Sequence, residues 1–323
     1  MSTTAAVFDI VIVGAGPAGL ACAIEAKQSG LSCVLLDKGA VADAIRRFPT
    51  NLTFFSTAEM LEIGNIPFMA SGFRPTRVDV VRYYQRVAYE YGLPVDYQAR
   101  VRSLVKEGDI FRIETDSKRY EARRVVVSTG YFDTPNHFDV PGSALPKVQR
   151  YYDEPFKYHG QHVAVVGGSN SAVEIALDLF RNGAKVTLIH RGQALSDGIK
   201  YWVLPDIENR IKTGEVQALF ETRVKEITPH SLRLEGRHEL EIPNDAVFVM
   251  IGYRPDISLL EGAGVSIDPE SAIPVHDAES METNIKGLFV AGSIAAGKFN
   301  NNIFIENGRL HGRRIIAGIS KNN

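Results

Sequence analysis

Two stretches of the chain share one pattern of apolar and polar positions. In each, a short apolar run leads into a glycine-rich turn and then into a segment with apolar residues at helical spacing. The runs at 8–13 and 163–166 predict buried parallel strands, and the segments at 20–29 and 172–181 predict crossover helices. Apolar runs at 32–36 and 185–189 predict the next strand of each unit. The pattern indicates two βαβ nucleotide-binding units.

The first turn has the G-x-G-x-x-G spacing of a dinucleotide-binding loop. Its candidate binding residues are Gly14, Gly16, Pro17, Ala18 and Gly19. We expect Gly14 to permit the tight turn, Gly16 to admit a pyrophosphate and Gly19 to let helix and strand pack closely. The following strand ends in Asp37, with Lys38 beside it. A carboxylate at this place accepts ribose hydroxyls and repels a 2′-phosphate, so the first site favours FAD or NAD over NADP.

The second turn has the related pattern G-x-S-x-x-A. Its candidate binding residues are Gly167, Ser169, Asn170 and Ser171. The next strand ends in His190 and Arg191, where the first unit has a carboxylate. A guanidinium pairs bidentately with a 2′-phosphate, so this site favours NADPH over NADH.

Composition narrows the class of protein. A length of 323 residues predicts about two domains, and a net charge of −2 gives no indication of nucleic acid or of an anionic membrane as a partner. No apolar stretch approaches the ~20 residues of a membrane span, and the N-terminus lacks the pattern of a signal peptide. Cys22 and Cys33 are the only cysteines and form no C-x-x-C. We therefore expect neither a disulfide scaffold nor a metal site, and a reducing cytoplasm as the location.

Two later segments of the sequence favour FAD over NAD for the first site. A strand that ends in Thr129 and Gly130 resembles a segment of two-domain flavoprotein reductases. A strand that ends in Gly292 and Ser293 resembles the second FAD-binding segment of the same proteins. Those reductases usually carry Asp where this chain has Ser293, and a hydroxyl still donates to a phosphate or ribityl oxygen.

The order of motifs resembles that of the low-molecular-weight thioredoxin reductases. This resemblance implies an α/β fold of two Rossmann-like, doubly wound, three-layer domains. It also implies an FAD-binding domain at 1–132 plus 254–323, with an NADPH-binding domain inserted at 133–253. The reductases of that group carry a C-x-x-C shortly before the second turn, where residues 149–156 of this chain contain no cysteine. Reduction of thioredoxin by that dithiol is therefore excluded.

A closer resemblance is to the YpdA-type family of bacillithiol-disulfide reductases. It is carried by the segments at 48–51, 53–57, 129–131, 167–172, 200–205, 252–256 and 303–308. It implies a homodimer, or a larger assembly of dimers, that passes hydride from NADPH to FAD and electrons to a low-molecular-weight disulfide or small redox partner. That family typically has a cysteine where this chain has Ala18, so its thiol mechanism does not transfer. For Cys22, one helical turn later, two interpretations stay open: a packing residue or a relocated redox thiol.

The remaining candidate binding residues are Phe54, Tyr131, Gly252, Lys298 and Ile303. We expect Tyr131 to flank the isoalloxazine ring, and Phe54 and its neighbour Phe55 either to do the same or to pack in the core. Residues 302–318 predict a helix whose N-terminus, near 301–303, stabilises negative charge on reduced flavin. Lys298 either adds to that field or is a solvated loop residue. By analogy with rotating reductases, the linkers at 131–135 and 252–255 are candidate hinges.

Three alternatives stay in view. A flavin monooxygenase shares the paired glycine turns, but its F-x-G-x-x-x-H segment is missing here. A ferredoxin– or flavodoxin–NADP reductase also lacks the dithiol, but usually has a C-terminal extension with an aromatic residue over the flavin, whereas this sequence ends a few residues past the last predicted helix. The third alternative is a non-catalytic flavoprotein that senses NADPH, which an absence of turnover with an artificial acceptor would indicate.

Overall fold

The computed structural model describes residues 7–299 and 302–321. Within them the chain forms two compact units. The first unit comprises the described residues up to Arg46, Ser56–Thr134, and those from Tyr253 onward; the second comprises Arg47–Phe55 and Pro135–Gly252. The prediction that residues 1–6 lack a signal peptide, and the part of the predicted helix start that falls on Asn301, lie outside the described residues.

The strands, in chain order, are β1 (Val7–Val13), β2 (Cys33–Leu36), β3 (Val95–Asp96), β4 (Val101–Glu107), β5 (Ile110–Thr115), β6 (Arg119–Val127), β7 (Thr134–Pro135), β8 (Val148–Gln149), β9 (His162–Val166), β10 (Lys185–Ile189), β11 (Gln217–Leu219), β12 (Thr222–Ile227), β13 (Ser231–Gly236), β14 (Glu241–Pro243), β15 (Ala246–Val249), β16 (Tyr253–Arg254) and β17 (Leu288–Val290). The helices are α1 (Pro17–Gln28), α2 (Asp43–Arg46), α3 (Arg77–Glu90), α4 (Asn170–Arg181), α5 (Leu204–Lys212), α6 (Ser258–Gly262), α7 (Ile305–Gly308) and α8 (His311–Lys321), with short 3₁₀ helices at Ala58–Leu61, Phe156–Tyr158 and Gly292–Ala296.

The sheet of the first unit has β1 at its centre, as the first apolar run predicts. Strand β1 pairs in parallel with β2 on one side and β6 on the other, so that Val11 lies opposite both Val34 and Val125. The far edge of β6 is shared: its first half pairs antiparallel with β5, and its second half pairs in parallel with β17. Val11 and Val125 are fully buried, because helices and loops cover both faces of parallel strands. The carboxyl ends of β1, β6 and β17 therefore meet at one edge.

The second unit repeats this design. Its five-stranded parallel sheet has the order β11-β10-β9-β15-β8, and a separate antiparallel sheet contains β12, β13 and β14. Phe248 on β15 anchors the core, since its ring makes edge contacts with the rings of Tyr152 and Tyr158, each at 5.2 Å between centroids. Strand β10 has the predicted bounds, and α4 begins two residues before the predicted helix. Both predicted βαβ units are thus present.

The helix predicted over 302–318 is wrong in its extent. Helix α7 has four residues and begins at Ile305, and α8 begins at His311 after an interruption at Arg309 and Leu310. Tertiary contacts hold the interruption: the Arg309 guanidinium donates to the carbonyl oxygens of Glu59 and Glu62 in the same unit. Such contacts outweigh local helical propensity, which differs by less than about 1 kcal/mol between ordinary residues.

Helix α8 packs directly on α1. A Cβ added to Gly312 would lie 2.9 Å from the backbone of Ala21 and 3.0 Å from Cα of Cys22, so this crossing requires a glycine. No helix in the described part of the chain is long and apolar enough to cross a membrane.

Candidate functional site: two dinucleotide-binding turns

In the first glycine turn, packing leaves no room for a side chain at Gly14 or Gly19, whereas Gly16 faces open space. A Cβ on Gly14, whose φ is +107°, would lie 2.6 Å from the carbonyl oxygen of Ser128. A Cβ on Gly19 would lie 2.0 Å from the carbonyl oxygen of Gly14. A Cβ on Gly16 would meet no atom within 4 Å. The turn is thus packed tightly against β6 and leaves room in front of Gly16, where a ligand's phosphates would lie.

The N-terminus of α1 faces the space in front of Gly16. Gly16 is the N-cap residue and Pro17 the first helical residue, and within residues 7–299 no side chain caps this end. The first-turn N–H groups of the 12-residue helix therefore remain available to an anion. Ala18 is partly exposed on this turn, and a Cβ on Gly292 would lie 2.9 Å from the Cβ of Ala18. Ala18 thus lies against the segment that follows β17.

Asp37 is placed by backbone hydrogen bonds at the end of β2. The N–H of Ala15 donates to its Oδ2 at 2.7 Å, and the N–H of Gly39 donates to its Oδ1 at 2.8 Å. Burial raises the pKa of the Asp37 carboxyl group, while these two donors act to lower it. Each carboxylate oxygen keeps lone pairs for further donors such as ribose hydroxyls. Lys38 instead forms an ion pair with Asp133 at 2.5 Å.

The segments after β6 and β17 come together beside the first turn. A Cβ on Gly130 would lie 3.7 Å from Oγ of Ser293, and the N–H of Gly292 donates to Nδ1 of His311 at 3.2 Å. The side-chain oxygen of Thr129 is buried and has no hydrogen-bond partner in the portion of the chain that the structure describes. A buried hydroxyl without a partner is costly, so Thr129 has hydrogen-bonding capacity left for a ligand atom.

His311 is held as a neutral acceptor in this arrangement. Burial, followed by the charge of Arg314 and by His276, lowers its pKa to about 4. The imidazole is therefore uncharged at neutral pH, and its unprotonated Nδ1 accepts the Gly292 N–H.

The other candidates of the first site occupy separate places. Burial raises the pKa of the Tyr131 hydroxyl, which lies just after the Thr129–Gly130 turn. Phe54 lies in the second unit, where its ring is 6.2 Å from that of Phe48. Lys298 is exposed and donates to the carbonyl oxygen of Glu270 at 2.8 Å. Ile303 precedes α7, and its Cγ2 would lie 3.3 Å from a Cβ on Gly308. Their roles toward a cofactor stay predictions.

The second turn is built in the same way on β9 and α4. A Cβ on Gly167, whose φ is +148°, would lie 2.4 Å from the carbonyl oxygen of Met250. Ser169 is the exposed N-cap residue of the 12-residue α4, and its side chain makes no capping bond. Ser171 is exposed on the first turn of this helix. The first-turn N–H groups of α4 and these two exposed serines thus lie at the same helix end, which suits an anion.

Asn170 contacts a loop rather than open space. Its Nδ2 donates to the carbonyl oxygen of Gly198 at 2.7 Å, and its Oδ1 accepts from the N–H of Lys200 at 2.9 Å. Gly252 follows β15 with φ of +88°, and its carbonyl oxygen accepts from the N–H of Asn136 at 3.1 Å. Asn170 and Gly252 thus hold neighbouring loop backbone in place through hydrogen bonds.

His190 and Arg191, at the end of β10, differ in exposure. A Cβ on Gly168 would lie 2.5 Å from the His190 ring, so this imidazole packs on the glycine turn. Burial, and then the neighbouring charge of Arg191, lowers the pKa of His190. Arg191 is exposed, and among the described residues no hydrogen bond or ion pair engages its guanidinium. Of the two, Arg191 is the group available to an added phosphate.

Both cysteines are buried. Cys22 is 2% exposed, and burial raises the pKa of its thiol to about 12. Burial also raises the pKa of Cys33, whose Sγ lies 3.9 Å from the carbonyl oxygen of Ala23. The interpretation of Cys22 as a packing residue is thus supported, because a reactive thiol needs exposure and a lowered pKa. Among residues 7–299 and 302–321, no group of three or more His, Cys, Asp or Glu side chains could hold a metal ion.

Two features of the sites have no signal in the sequence pattern. Ser128 donates from its Oγ to the carbonyl oxygens of Val13 and Gly14, both at 3.0 Å, and so fixes the first turn. Lys200 forms a largely buried ion pair with Glu174 on α4 at 2.6 Å. Single polar residues next to a strand or in a loop carry no periodicity, so only the tertiary structure assigns them these roles.

Comparisons with known proteins extend over nearly the whole chain. The family described as pyridine nucleotide-disulphide oxidoreductase matches residues 11–292. The Bacilliredoxin reductase Bdr of Bacillus subtilis (strain 168) is 42% identical over 314 residues, which are 96% of this chain and 97% of that protein. The solved structure of Bacillithiol Disulfide Reductase Bdr (YpdA) from Bacillus cereus has a TM-score of 0.95 at 41% identity, and covers 98% of this chain and 100% of that chain.

A more distant structure bears on the fold alone. The thioredoxin reductase of T. acidophilum has a TM-score of 0.78 at 23% identity, with 98% of each chain covered. The predicted thioredoxin-reductase-like α/β fold and the resemblance to the YpdA-type family are both confirmed.

Proposed function

The chain belongs to the pyridine nucleotide-disulphide oxidoreductase family, and we propose that it passes hydride from NADPH to FAD and electrons onward to a low-molecular-weight disulfide or small redox partner. One observation carries this proposal. Two glycine turns of the same build are followed by groups of opposite charge: the carboxylate of Asp37 after β2 and the exposed guanidinium of Arg191 after β10. One chain thus offers one site for an unmodified ribose and another for a phosphorylated ribose.

The residues of the first unit fit FAD. The space at Gly16 and the uncapped N-terminus of α1 suit a pyrophosphate, and Asp37 suits the adenosine ribose. The buried, unpartnered hydroxyl of Thr129 and the neighbouring Ser293 supply polar groups for the ribityl portion. When bound, FAD would supply the electron-transfer chemistry, and this chain's residues would bind and orient it. We assign a catalytic role to no side chain.

The residues of the second unit fit NADPH. The N–H groups of the first turn of α4, with the hydroxyls of Ser169 and Ser171, suit the pyrophosphate. Arg191 suits the 2′-phosphate, because its charge is exposed and its planar fork matches phosphate oxygens. We propose an FAD-binding domain at 1–132 plus 254–323 and an NADPH-binding domain at 133–253. The compact units support this division, apart from Arg47–Phe55, which lies in the second unit.

The acceptor is reduced without a covalent bond to a protein thiol. Ala18 has no sulfur, and the thiols of Cys22 and Cys33 are buried with raised pKa values. A thiol-reactive dye is therefore expected to label neither cysteine of the native protein, and a Cys22→Ala/Cys33→Ala variant is expected to keep its turnover. Ala18→Cys, at a partly exposed position, is the positive control for labelling. Labelling of Cys22 after reduction by NADPH would contradict this part of the proposal.

A disulfide is the first acceptor to test. Similar proteins are named for bacilliredoxin and for bacillithiol disulfide, and the family description itself names a disulfide. Under anaerobic conditions NADPH is expected to bleach the flavin absorbance, and a low-molecular-weight disulfide or a disulfide-bonded small redox protein is expected to restore it. Restoration by a quinone or ferredoxin alone would reject the disulfide, and no bleaching by NADPH would reject the proposed reaction.

The assembly and location are further parts of the proposal. The resemblance to YpdA-type proteins supports a homodimer, which light scattering on the purified protein would test. Two unpaired, buried cysteines support a reducing cytoplasm.

A further inference from the structure

Three aromatic side chains of the second unit form a cluster, here called the aromatic shelf: Phe55, Tyr201 and Trp202. The rings of Phe55 and Trp202 are stacked, with 5.6 Å between centroids and 28° between planes. The Tyr201 ring meets Trp202 edge-on at 4.8 Å. Phe55 is 58% exposed and Tyr201 is 67% exposed. Neighbouring exposed aromatic side chains form an apolar patch, and such patches mark interaction sites more often than single exposed residues do.

The shelf is tied to the second glycine turn by the loop that carries two of its members. The N–H of Ser196 donates to the carbonyl oxygen of Gly168 at 2.9 Å. The side chain of Asn170 bridges the loop at Gly198 and at the N–H of Lys200. Lys200 is hydrogen-bonded to Asn170, the first residue of α4. Trp202 is two residues after Lys200, so at most ~7 Å of chain separates it from that contact. The loop therefore sets the shelf beside the N-terminus of α4.

The charge of Lys200 is already balanced beneath the shelf. Its Nζ pairs with Glu174 at 2.6 Å and donates to the carbonyl oxygen of Thr53 at 2.7 Å. The side chains of Lys200 and Glu174 are only 9% and 15% exposed. The ammonium is thus committed to a carboxylate rather than offered to a phosphate. What the shelf presents is the faces and edges of aromatic rings.

We propose that the aromatic shelf binds the nicotinamide ring of NADPH. This inference rests on the proposed function, in which the pyrophosphate lies at the N-terminus of α4 and the 2′-phosphate lies at Arg191. The nicotinamide ring is one ribose away from the pyrophosphate, and its flat face matches the exposed ring of Phe55. The Lys200 ammonium already lies 6.0 Å from the centroid of the Trp202 ring, so the surface offered to the nicotinamide is that of Phe55 and Tyr201, beside the indole.

The shelf contains its own reporter, because Trp202 is the single tryptophan of the chain. The holoprotein is titrated with NADP⁺ and, separately, with 2′,5′-ADP, which has the phosphorylated adenosine but no nicotinamide. NADP⁺ is expected to quench the tryptophan fluorescence, because the nicotinamide then lies beside the indole ring. The bound 2′,5′-ADP is expected to leave the fluorescence unchanged, with its binding followed by calorimetry.

Each outcome decides one question. If both ligands bind and change the fluorescence equally, or if neither changes it, the nicotinamide does not lie on the shelf and this inference is rejected while the NADPH site stands. If neither ligand binds, the proposed NADPH site itself is rejected, and the shelf with it.

A pair of variants tests the contact without the tryptophan signal. Phe55→Leu is expected to weaken NADP⁺ binding about three- to tenfold, the loss typical of one aromatic pair, and to leave 2′,5′-ADP binding unchanged. Phe156→Leu is the matched control, since Phe156 is 70% exposed on the same unit but belongs to a different segment. Equal weakening of both ligands by Phe55→Leu would show a general disturbance of the turn and overturn the inference.

Discussion

At the end of β10, Arg191 is exposed and its guanidinium forms no hydrogen bond or ion pair within the described residues. Its removal is expected to raise the KM for NADPH about ten- to a hundredfold and to leave the KM for NADH nearly unchanged. A charge-assisted hydrogen bond from Arg191 to the 2′-phosphate of NADPH contributes about 1.5–3 kcal/mol to binding. NADH has no 2′-phosphate, so its binding does not depend on this bond. Steady-state kinetics of Arg191→Ala with both nucleotides measures this.

Arg223→Ala is the control for that measurement, because Arg223 is also exposed on the second unit but lies on the antiparallel strand β12. An unchanged ratio of NADPH to NADH in Arg191→Ala would refute the assignment of the 2′-phosphate site.

His311 predicts how the stability of the first unit depends on pH. Its folded-state pKa of about 4 lies below the ordinary value of 6.5, so between these pH values the unfolded chain binds a proton that the folded chain does not. Stability from this group is complete above about pH 6.5 and falls as the pH drops toward 4, by up to about 3 kcal/mol. Urea unfolding at several pH values is expected to show a shallower acid loss in His311→Gln, whose amide oxygen still accepts from Gly292. An equal loss of stability at acid pH in the wild-type protein and in His311→Gln would contradict this role of His311.

Among the secondary-structure elements, the crossing of α8 over α1 depends on the absence of a side chain at Gly312. A methyl group there would lie 2.9 Å from the Ala21 backbone, which cannot move as a flexible side chain can. Gly312→Ala is therefore expected to lower stability by about 1–3 kcal/mol, as overpacking usually does. Gly262→Ala in α6 is the control, since a Cβ there would meet nothing within 4 Å, and helical alanine is favoured over glycine. A urea midpoint for Gly312→Ala at or above that of Gly262→Ala would show that the helices do not pack this closely.

On the scale of the whole molecule, the chain passes between its two units at four points, because Arg47–Phe55 is incorporated into the second unit. Two of the contacts that hold this segment are the bond from Asn51 to Asp178, at 3.0 Å, and the bond from Lys200 to the carbonyl oxygen of Thr53. The buried ion pair of Lys200 with Glu174 positions the second of these donors.

Lys200→Met is expected to lower stability by about 3–5 kcal/mol, because it leaves the carboxylate of Glu174 buried and unpaired. The double variant Lys200→Met/Glu174→Leu is expected to be more stable than Lys200→Met alone, since no buried charge remains. Hydrogen exchange of the amides in Arg47–Phe55 is expected to be faster in both variants, because both lack the bond to Thr53. If the double variant were the less stable of the two, this explanation by an unpaired buried charge would be wrong.

Much of the molecule could be predicted from local patterns. Apolar periodicity and glycine spacing, which act over a few residues, predict the two glycine turns and the elements around them: strands β1, β2, β9 and β10 and helices α1 and α4. The helix over 302–318 could not be predicted correctly, because the contacts that interrupt it at Arg309 come from residues about 250 positions earlier. The same limit applies to Lys200, whose partner Glu174 and acceptor Thr53 are adjacent only after folding.

Two glycine turns of the dinucleotide-binding pattern, with a carboxylate after one and a guanidinium after the other, can be identified in the sequence without a structure. Folding in three dimensions settled three other matters. It buried Cys22 beneath α8, it left Arg191 exposed while packing His190 on the turn, and it joined Arg47–Phe55 to the second unit. The physical reason is range: turn geometry and strand periodicity are local properties, whereas burial and ion pairing depend on which distant segments are brought into contact.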